Sequence, residues 1–284
     1  MDKNFILVAQ NTKFDDYVKQ ACVCAMSIHA TNTNVSIAII TDDKVPAEYT
    51  HLFDHIIPIP WGDLAEKYEW KIHNRWKIYF ISPYEHAVVL DTDMLVLDDL
   101  TSYFDVFNDY DIWLTSNVLD YRGNSISNDY YRKRFTKYNL PNTYFGLHYF
   151  KKSEFALEFY TWMDVITNNW KEFYKFGTNQ LIQKTASMDI TSAMTVSILD
   201  CESSITNKKL DAPAFVHMKP NIQGWSGIVE KWQTKVGAYL TDDLDLYIGN
   251  FKQHGIFHYT EKDFLTDSIV EAYNNKLGIS DVKV

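Results

Sequence analysis

The chain predicts an α/β fold: a mixed, mainly parallel central sheet with helices on both faces. Two observations lead there. Across the first hundred residues, short apolar runs alternate with segments of helical periodicity. That order builds parallel strands joined by crossover helices. Three of the runs then end in polar residues, Gln10-Asn11, Asp42 and Asp91. In parallel sheets, ligands collect outside the carboxyl ends of the strands.

The elements follow in order. "FILVAQ" (5–10) reads as a buried strand. "DDYVKQACVCAMSIHA" places Tyr17, Ala21, Cys24, Ala25 and Ile28 at helical spacing, with Asp15 or Asp16 as N-cap. "VSIAIITDD" (35–43) is a second strand, and "HIIPIP" (55–60) a third, placed at an edge by its prolines. "IHNRWKIYFISPY" (72–84) reads as a helix that stops before Pro83, and "AVVLD" as the next strand. "TYFGLHYFK" (143–151) is another strand and "EFALEFYTWMDVITNNWKEFY" (154–174) one long helix. "DITSAMTVSIL" (189–199) reads as a short helix capped by Asp189. Short strands and loops fill 200–260, and "KDFLTDSIVEAYNNKL" (262–277) is a terminal helix.

Composition narrows the class. The 284 residues are 46% hydrophobic and 15% aromatic, with no linker, repeat or low-complexity tract, so a single domain over 1–284 is expected. The apolar stretch in "MDKNFILVAQNTK" is too short for a signal sequence, and no segment approaches the roughly 20 apolar residues of a membrane span. Cys22, Cys24 and Cys201 form no C-x-x-C pair, which suits a reducing cytoplasm rather than a disulfide framework or zinc site. A net charge of −10 disfavours broad contact with a polyanion. Between Asp120 and Lys152, however, seven Lys and Arg face two Asp.

Chemistry concentrates in "HAVVLDTDMLVLDDL" (86–100). Asp91 and Asp93 flank Thr92 where a buried strand ends, so both carboxylates can converge on one hard cation. Mg²⁺ and Mn²⁺ take carboxylate oxygens and share their other positions with phosphates. Such an ion would neutralise a departing diphosphate. A solvated acidic turn is the plain alternative for the triplet alone.

"RWKIYFISPYEHAVVLDTDMLVL" resembles the D-x-D region of GT-A-fold glycosyltransferases, particularly the glycogenin-like retaining family. Arg75 stands where that family has Lys, with Lys77 as the alternative. The resemblance implies a GT-A-type fold, with 1–100 as the nucleotide-binding half and 101–284 as the acceptor-binding half. It also implies a UDP-sugar donor with Mn²⁺ or Mg²⁺. The family's base-holding positions correspond to Gln10, Asn11 and Tyr17. The metal is expected on Asp91, Asp93 and a late His. "HMKPNIQGW" (217–225) offers His217, whose rival is His258 in "GIFHYTEKDF"; Lys219 is a candidate for the diphosphate. Arg75, Asp91 and Thr92 would complete the donor site.

The chain departs from the family in places. The family's N-S-G strand corresponds to Tyr144-Phe145-Gly146, so an amide expected to touch sugar or acceptor is replaced by bulk. For the family's D-Q motif the candidates are Asn179-Gln180 and Asp189; Asp189 keeps a carboxylate at a helix start and is preferred. It would orient sugar or acceptor, or act as nucleophile. The chain also looks like uncharacterised glycosyltransferase-like proteins of tailed phages.

"NDYYRKRFTKYN" (128–139) interleaves basic and aromatic residues. Arg132, Lys133, Arg134 and Lys137 suit either a solvated helix face or contact with nucleic acid, where aromatics stack on extruded bases. The second reading makes a hydroxymethylated pyrimidine in phage DNA a candidate acceptor. Two other classes stay open: a catalytically inactive nucleotide-sugar- or nucleic-acid-binding protein, and a metal-dependent nucleotidyltransferase. "AQNTKFDD" lacks the glycine-rich loop that a nucleotidyltransferase would show.

Overall fold

Residues 2–60, 74–126, 133–177, 186–206, 213–218, 233 and 236–279 are described by the computed structural model of this chain. The first run forms strand β1 (Lys3–Val8) and leads into helix α1 (Tyr17–Thr31). Asp16 caps that helix, its Oδ1 accepting from the Lys19 N–H at 2.8 Å. Next come β2 (Val35–Ile40), β3 (His55–Ile57), α2 (Ile78–Ile81) and β4 (His86–Leu90). The helix expected over 72–84 is a 3₁₀ turn, Arg75–Lys77, running into the single turn of α2; 72 and 73 lie outside the described residues.

The chain then forms β5 (Met94–Val96), α3 (Thr101–Phe107), β6 (Ile112–Thr115), β7 (Val118–Leu119) and α4 (Lys133–Lys137). β8 (Tyr144–Lys151) is the long strand expected there, followed by α5 (Glu154–Asn168) and α6 (Trp170–Gly177). The single helix expected over 154–174 is therefore two. Asn169 leaves helical geometry at φ −119° and ψ 23°, and its side-chain amide donates to the Val165 carbonyl at 2.8 Å. α7 (Met188–Leu199) starts from Ser187, so Asp189 lies in its first turn and is not its cap.

α8 (Glu202–Ile205), β9 (Phe215–His217), β10 (Ala238–Leu240), β11 (Leu246–Ile248), β12 (Phe251–Lys252) and β13 (Ile256–His258) follow. α9 (Asp267–Leu277) is the terminal helix. It begins five residues later than expected, because the Thr266 side chain caps it and a 3₁₀ turn holds Lys262–Phe264.

The main sheet has the order β3-β2-β1-β4-β8-β6. β3, β2, β1 and β4 are parallel, while β8 runs antiparallel to both β4 and β6. β3 lies at the edge, as its prolines require. Alternate residues feed opposite cores. Phe5, Leu7, Val88 and Leu90 pack with α1 on one face; Ile6, Ala87 and Val89 pack with α5 and α7 on the other. The strands read as unbroken apolar runs because both faces are buried.

Strand order reverses between β1 and β4: β2 and β3 continue on one side, β4 on the other. Such a switch point opens a crevice at the carboxyl ends of the strands. A second sheet, β5-β13-β9-β7, stands beside it, and β10-β11-β12 form a small antiparallel sheet. The chain leaves the main sheet after Leu90 and joins the second at Met94. The three residues spanning that gap are Asp91, Thr92 and Asp93.

Candidate active site

The two acids are held in place from both sheets. The Asp91 N–H donates to the Gly146 carbonyl on β8 at 2.9 Å, and the Tyr259 N–H donates to the Asp93 carbonyl at 3.2 Å. Thr92 between them is buried, and both carboxylates are partly exposed to the crevice. Gly146 fits tightly against Asp91. A Cβ there would lie 2.4 Å from Asp91 Oδ2 and 2.5 Å from the Tyr144 ring. Glycine lets the backbone and the carboxylate come this close.

Asp93 faces His258 and Lys262. Its Oδ1 lies 3.1 Å from His258 Nε2, and its Oδ2 accepts from Lys262 Nζ at 2.7 Å. Burial opposes the Asp93 charge, but the fields and hydrogen bonds of His258 and Lys262 outweigh it and hold the carboxyl well below the ordinary range. Asp91 is paired with the Arg75 guanidinium. Arg75 is nine-tenths buried, and its Nε and Nη2 have no hydrogen-bond partner. Burial lowers its pKa to about 10, against the pull of Asp93, Tyr144 and Asp189, so it remains a cation at neutral pH.

Among the described residues, Asp91, Asp93 and His258 form a group whose ligand atoms all lie within 4.8 Å of one another. Two carboxylates and an imidazole are a set that could hold a divalent metal ion. The expected third member, His217, is not in this group. β13 lies between β9 and β5, so His258 is one strand from the acids and His217 two. The two histidines are register partners on parallel strands, with ring centroids 4.6 Å apart, and His217 is almost fully buried behind His258.

The remaining expected residues divide. Tyr17 opens α1, half-buried, and Lys262 Nζ sits 4.8 Å from its ring centroid. Asn11 follows β1. Its Oδ1 accepts from the Val18 N–H at 3.0 Å, and its own N–H donates to Asp43 Oδ2 at 2.6 Å. Gln10 is half-buried at the same strand end. Asp42 Oδ1 accepts from the Ile59 N–H at 2.9 Å and so anchors the chain after β3. Lys77, the alternative to Arg75, lies 5.4 Å from the Trp76 ring centroid. Asp189 Oδ1 accepts from the Phe145 N–H at 2.8 Å, which ties α7 to β8 beside Arg75. Lys219, Arg132 and the Asn179-Gln180 pair lie outside the described residues. Lys133 and Arg134 fall on α4, and Lys137 at its end is exposed, 5.1 Å from the Tyr138 ring centroid.

Sequence reasoning missed Lys262, which joins Asp93 to Tyr17. The signal was present in "HYTEK": a lysine four residues after the rival histidine.

Solved structures settle the architecture. An active-site variant of LgtC is similar over 99% of this chain and 98% of its own, at 14% identity and a TM-score of 0.55. The chain has the GT-A fold. Galactosyltransferase LgtC in complex with donor and acceptor sugar analogs gives 13% identity, coverage of 97% and 94%, and a TM-score of 0.53. Mouse xyloside xylosyltransferase 1 gives 10% identity, coverage of 94% and 100%, and a TM-score of 0.53. Against the glycosyltransferase GlyE of Streptococcus pneumoniae, 72% of this chain aligns at 12% identity with a TM-score of 0.43 and spans 45% of that protein. No protein-family model matches the chain, and no curated protein matches it. No helix among the described residues is long and apolar enough to cross a membrane.

Proposed function

We propose that this chain is a metal-dependent glycosyltransferase moving a sugar from a nucleoside diphosphate donor, a UDP-sugar, to an acceptor hydroxyl. The observation that carries this reading is the convergence of Asp91, Asp93 and His258 at the switch point of a GT-A fold. These three residues would hold Mn²⁺ or Mg²⁺. When bound, the ion supplies Lewis-acid stabilisation of the departing diphosphate.

The chain's own residues do the rest. Tyr17, Gln10 and Asn11 border the crevice at the end of β1 and would hold the base. The unpartnered Nε and Nη2 of Arg75 are two buried donors lacking an acceptor. Oxygen atoms of the diphosphate or the sugar would satisfy them, and their positive charge opposes the negative charge that grows as the glycosidic bond breaks. Lys262 takes the diphosphate role expected of Lys219, because it already sits between Tyr17 and Asp93. Asp189, fixed on the Phe145 amide, would orient sugar or acceptor.

The resemblance to the glycogenin-like family supports retention of configuration. For the acceptor, the basic segment around α4 supports a hydroxymethylated pyrimidine in DNA. The buried free thiols of Cys22, Cys24 and Cys201 support a cytoplasmic setting.

A donor panel tests the reading. UDP-glucose, UDP-galactose, UDP-N-acetylglucosamine and GDP-mannose are assayed for nucleotide release with and without Mn²⁺ and hydroxymethylated DNA. Metal-dependent release from a UDP-sugar, lost in Asp93→Ala, is the expected result. Tight UDP binding with no release from any donor indicates the inactive binding protein instead.

A further inference from the structure

Tyr144 stands where the resembled family carries an amide, and nothing in the proposed chemistry has yet used it. Its ring is buried at the start of β8, 4.9 Å from the Phe215 ring centroid and 5.9 Å from that of His217. One ring edge lies over Gly146, where any Cβ would collide with it. Its hydroxyl lies 3.0 Å from Nδ1 of the buried His258, whose Nε2 faces Asp93.

We propose that Tyr144 is a positioning residue that aims His258 Nε2 at the cation between Asp91 and Asp93; this rests on the metal reading above. The chemistry of a hydroxyl suits the task. Among side-chain groups, a hydroxyl both donates and accepts. While the His258 Nε2–H donates to Asp93, Nδ1 is a lone pair and accepts the Tyr144 O–H. When the Nε2 lone pair faces a cation, the proton sits on Nδ1 and donates to the Tyr144 oxygen. The Tyr144–His258 hydrogen bond survives in both tautomers, so the imidazole does not turn as the site loads. A carboxylate or a backbone carbonyl at this place would accept only, and would favour one tautomer alone. The ring nitrogen turned away from a metal commonly has such a partner, whose loss costs about 10–100-fold in metal affinity.

The Tyr-Phe-Gly segment then has a use at each residue. The Tyr144 hydroxyl sets His258, the Phe145 amide holds Asp189, and Gly146 makes room for Asp91.

The test uses the full chain and Tyr144→Phe, which removes one oxygen and keeps the ring. Mn²⁺ is titrated calorimetrically with saturating UDP, and thermal unfolding checks that the variant folds. A loss of about 10–100-fold in Mn²⁺ affinity is expected, with UDP affinity in the absence of metal unchanged. The imidazole nitrogen spectrum of His258, with Zn²⁺ as a diamagnetic probe, gives an independent readout. On loading it should show a single state, coordinated at Nε2 and protonated at Nδ1, in the unsubstituted chain, and a mixture of Nε2- and Nδ1-coordinated rings in Tyr144→Phe. Equal Mn²⁺ affinity and equal tautomer populations in the two proteins would overturn the positioning role while leaving the metal site standing. Failure of the unsubstituted chain to bind Mn²⁺ with UDP would overturn both.

Discussion

Gly146→Ala presses on the Asp91 carboxylate, with the Tyr144 ring as the other neighbour of the new methyl. The added Cβ would lie 2.4 Å from Asp91 Oδ2, where ordinary contact begins at 3.4 Å. The carboxylate must therefore retreat by about 1 Å, since the other close atom belongs to the confined ring of Tyr144. Metal and catalytic constellations tolerate displacements of about 0.5 Å, and a misplacement of about 1 Å costs roughly 10²-fold in rate. That corresponds to about 2.7 kcal/mol on the barrier. Crowding against the buried Tyr144 ring should cost about 1–3 kcal/mol of stability. Gly146 has no left-handed backbone requirement, so alanine gains about 0.4–1 kcal/mol by restricting the unfolded chain, which offsets part of the local crowding. The assay pairs Mn²⁺-dependent nucleotide release from a UDP-sugar with a thermal melt. The expectation is a loss of roughly 10²-fold in release, with the melting midpoint lowered by no more than about 10 °C. Full Mn²⁺-dependent release from a folded Gly146→Ala protein would show that the Asp91 carboxylate does not work from this position, and the metal assignment would fall with it.

Three other changes probe different parts of the molecule. Lys262→Met keeps the aliphatic stem and removes the charge that joins Asp93 to Tyr17. A charge-assisted hydrogen bond is worth about 1.5–3 kcal/mol, so UDP affinity should fall about 10–100-fold, and an unchanged calorimetric affinity would remove Lys262 from the donor site. His148 is buried against Phe145, and burial, with Arg75 beside it, lowers its pKa to about 3. The unfolded chain takes up this proton near pH 6.5 while the fold refuses it, so stability present above pH 6.5 is lost as pH falls. Between pH 6 and 4 this residue alone should cost roughly 2–3 kcal/mol. Denaturant midpoints of the parent that fall no faster with acid than those of His148→Gln would contradict this. Neutralising Arg132, Lys133 and Arg134 together should flatten the salt dependence of DNA binding by about 2–3 in the log–log slope. No DNA affinity in the parent at low salt would remove DNA as the acceptor.

The main sheet was readable because its strands are buried on both faces, which writes them as unbroken apolar runs such as Phe5–Val8 and Ala87–Leu90. The second sheet was not. β5, β9 and β13 are three residues each and β7 only two, too short to show a period. The helix over 154–174 was misread for a local reason. Apolar spacing continues through Asn168-Asn169, but Asn169 leaves helical geometry and its side-chain amide bonds back to the Val165 carbonyl where α5 ends.

That same blindness to the second sheet bears on which histidine lies beside the acids. His217 and His258 both follow apolar residues, and the spacing to a downstream tryptophan favoured His217. Linear spacing carries no information about which strand lies beside the acids. In the fold, β9 and β13 run parallel with the two histidines in register, so both side chains leave the sheet on the same face. Selection between them rests entirely on strand order. β13 pairs with β5, placing His258 opposite Met94, the residue next to Asp93. β9 lies one strand further out, and its histidine packs behind the first. The acids were legible because one strand end determines them. Which histidine neighbours them was not, because a pairing between segments more than 160 positions apart decides it.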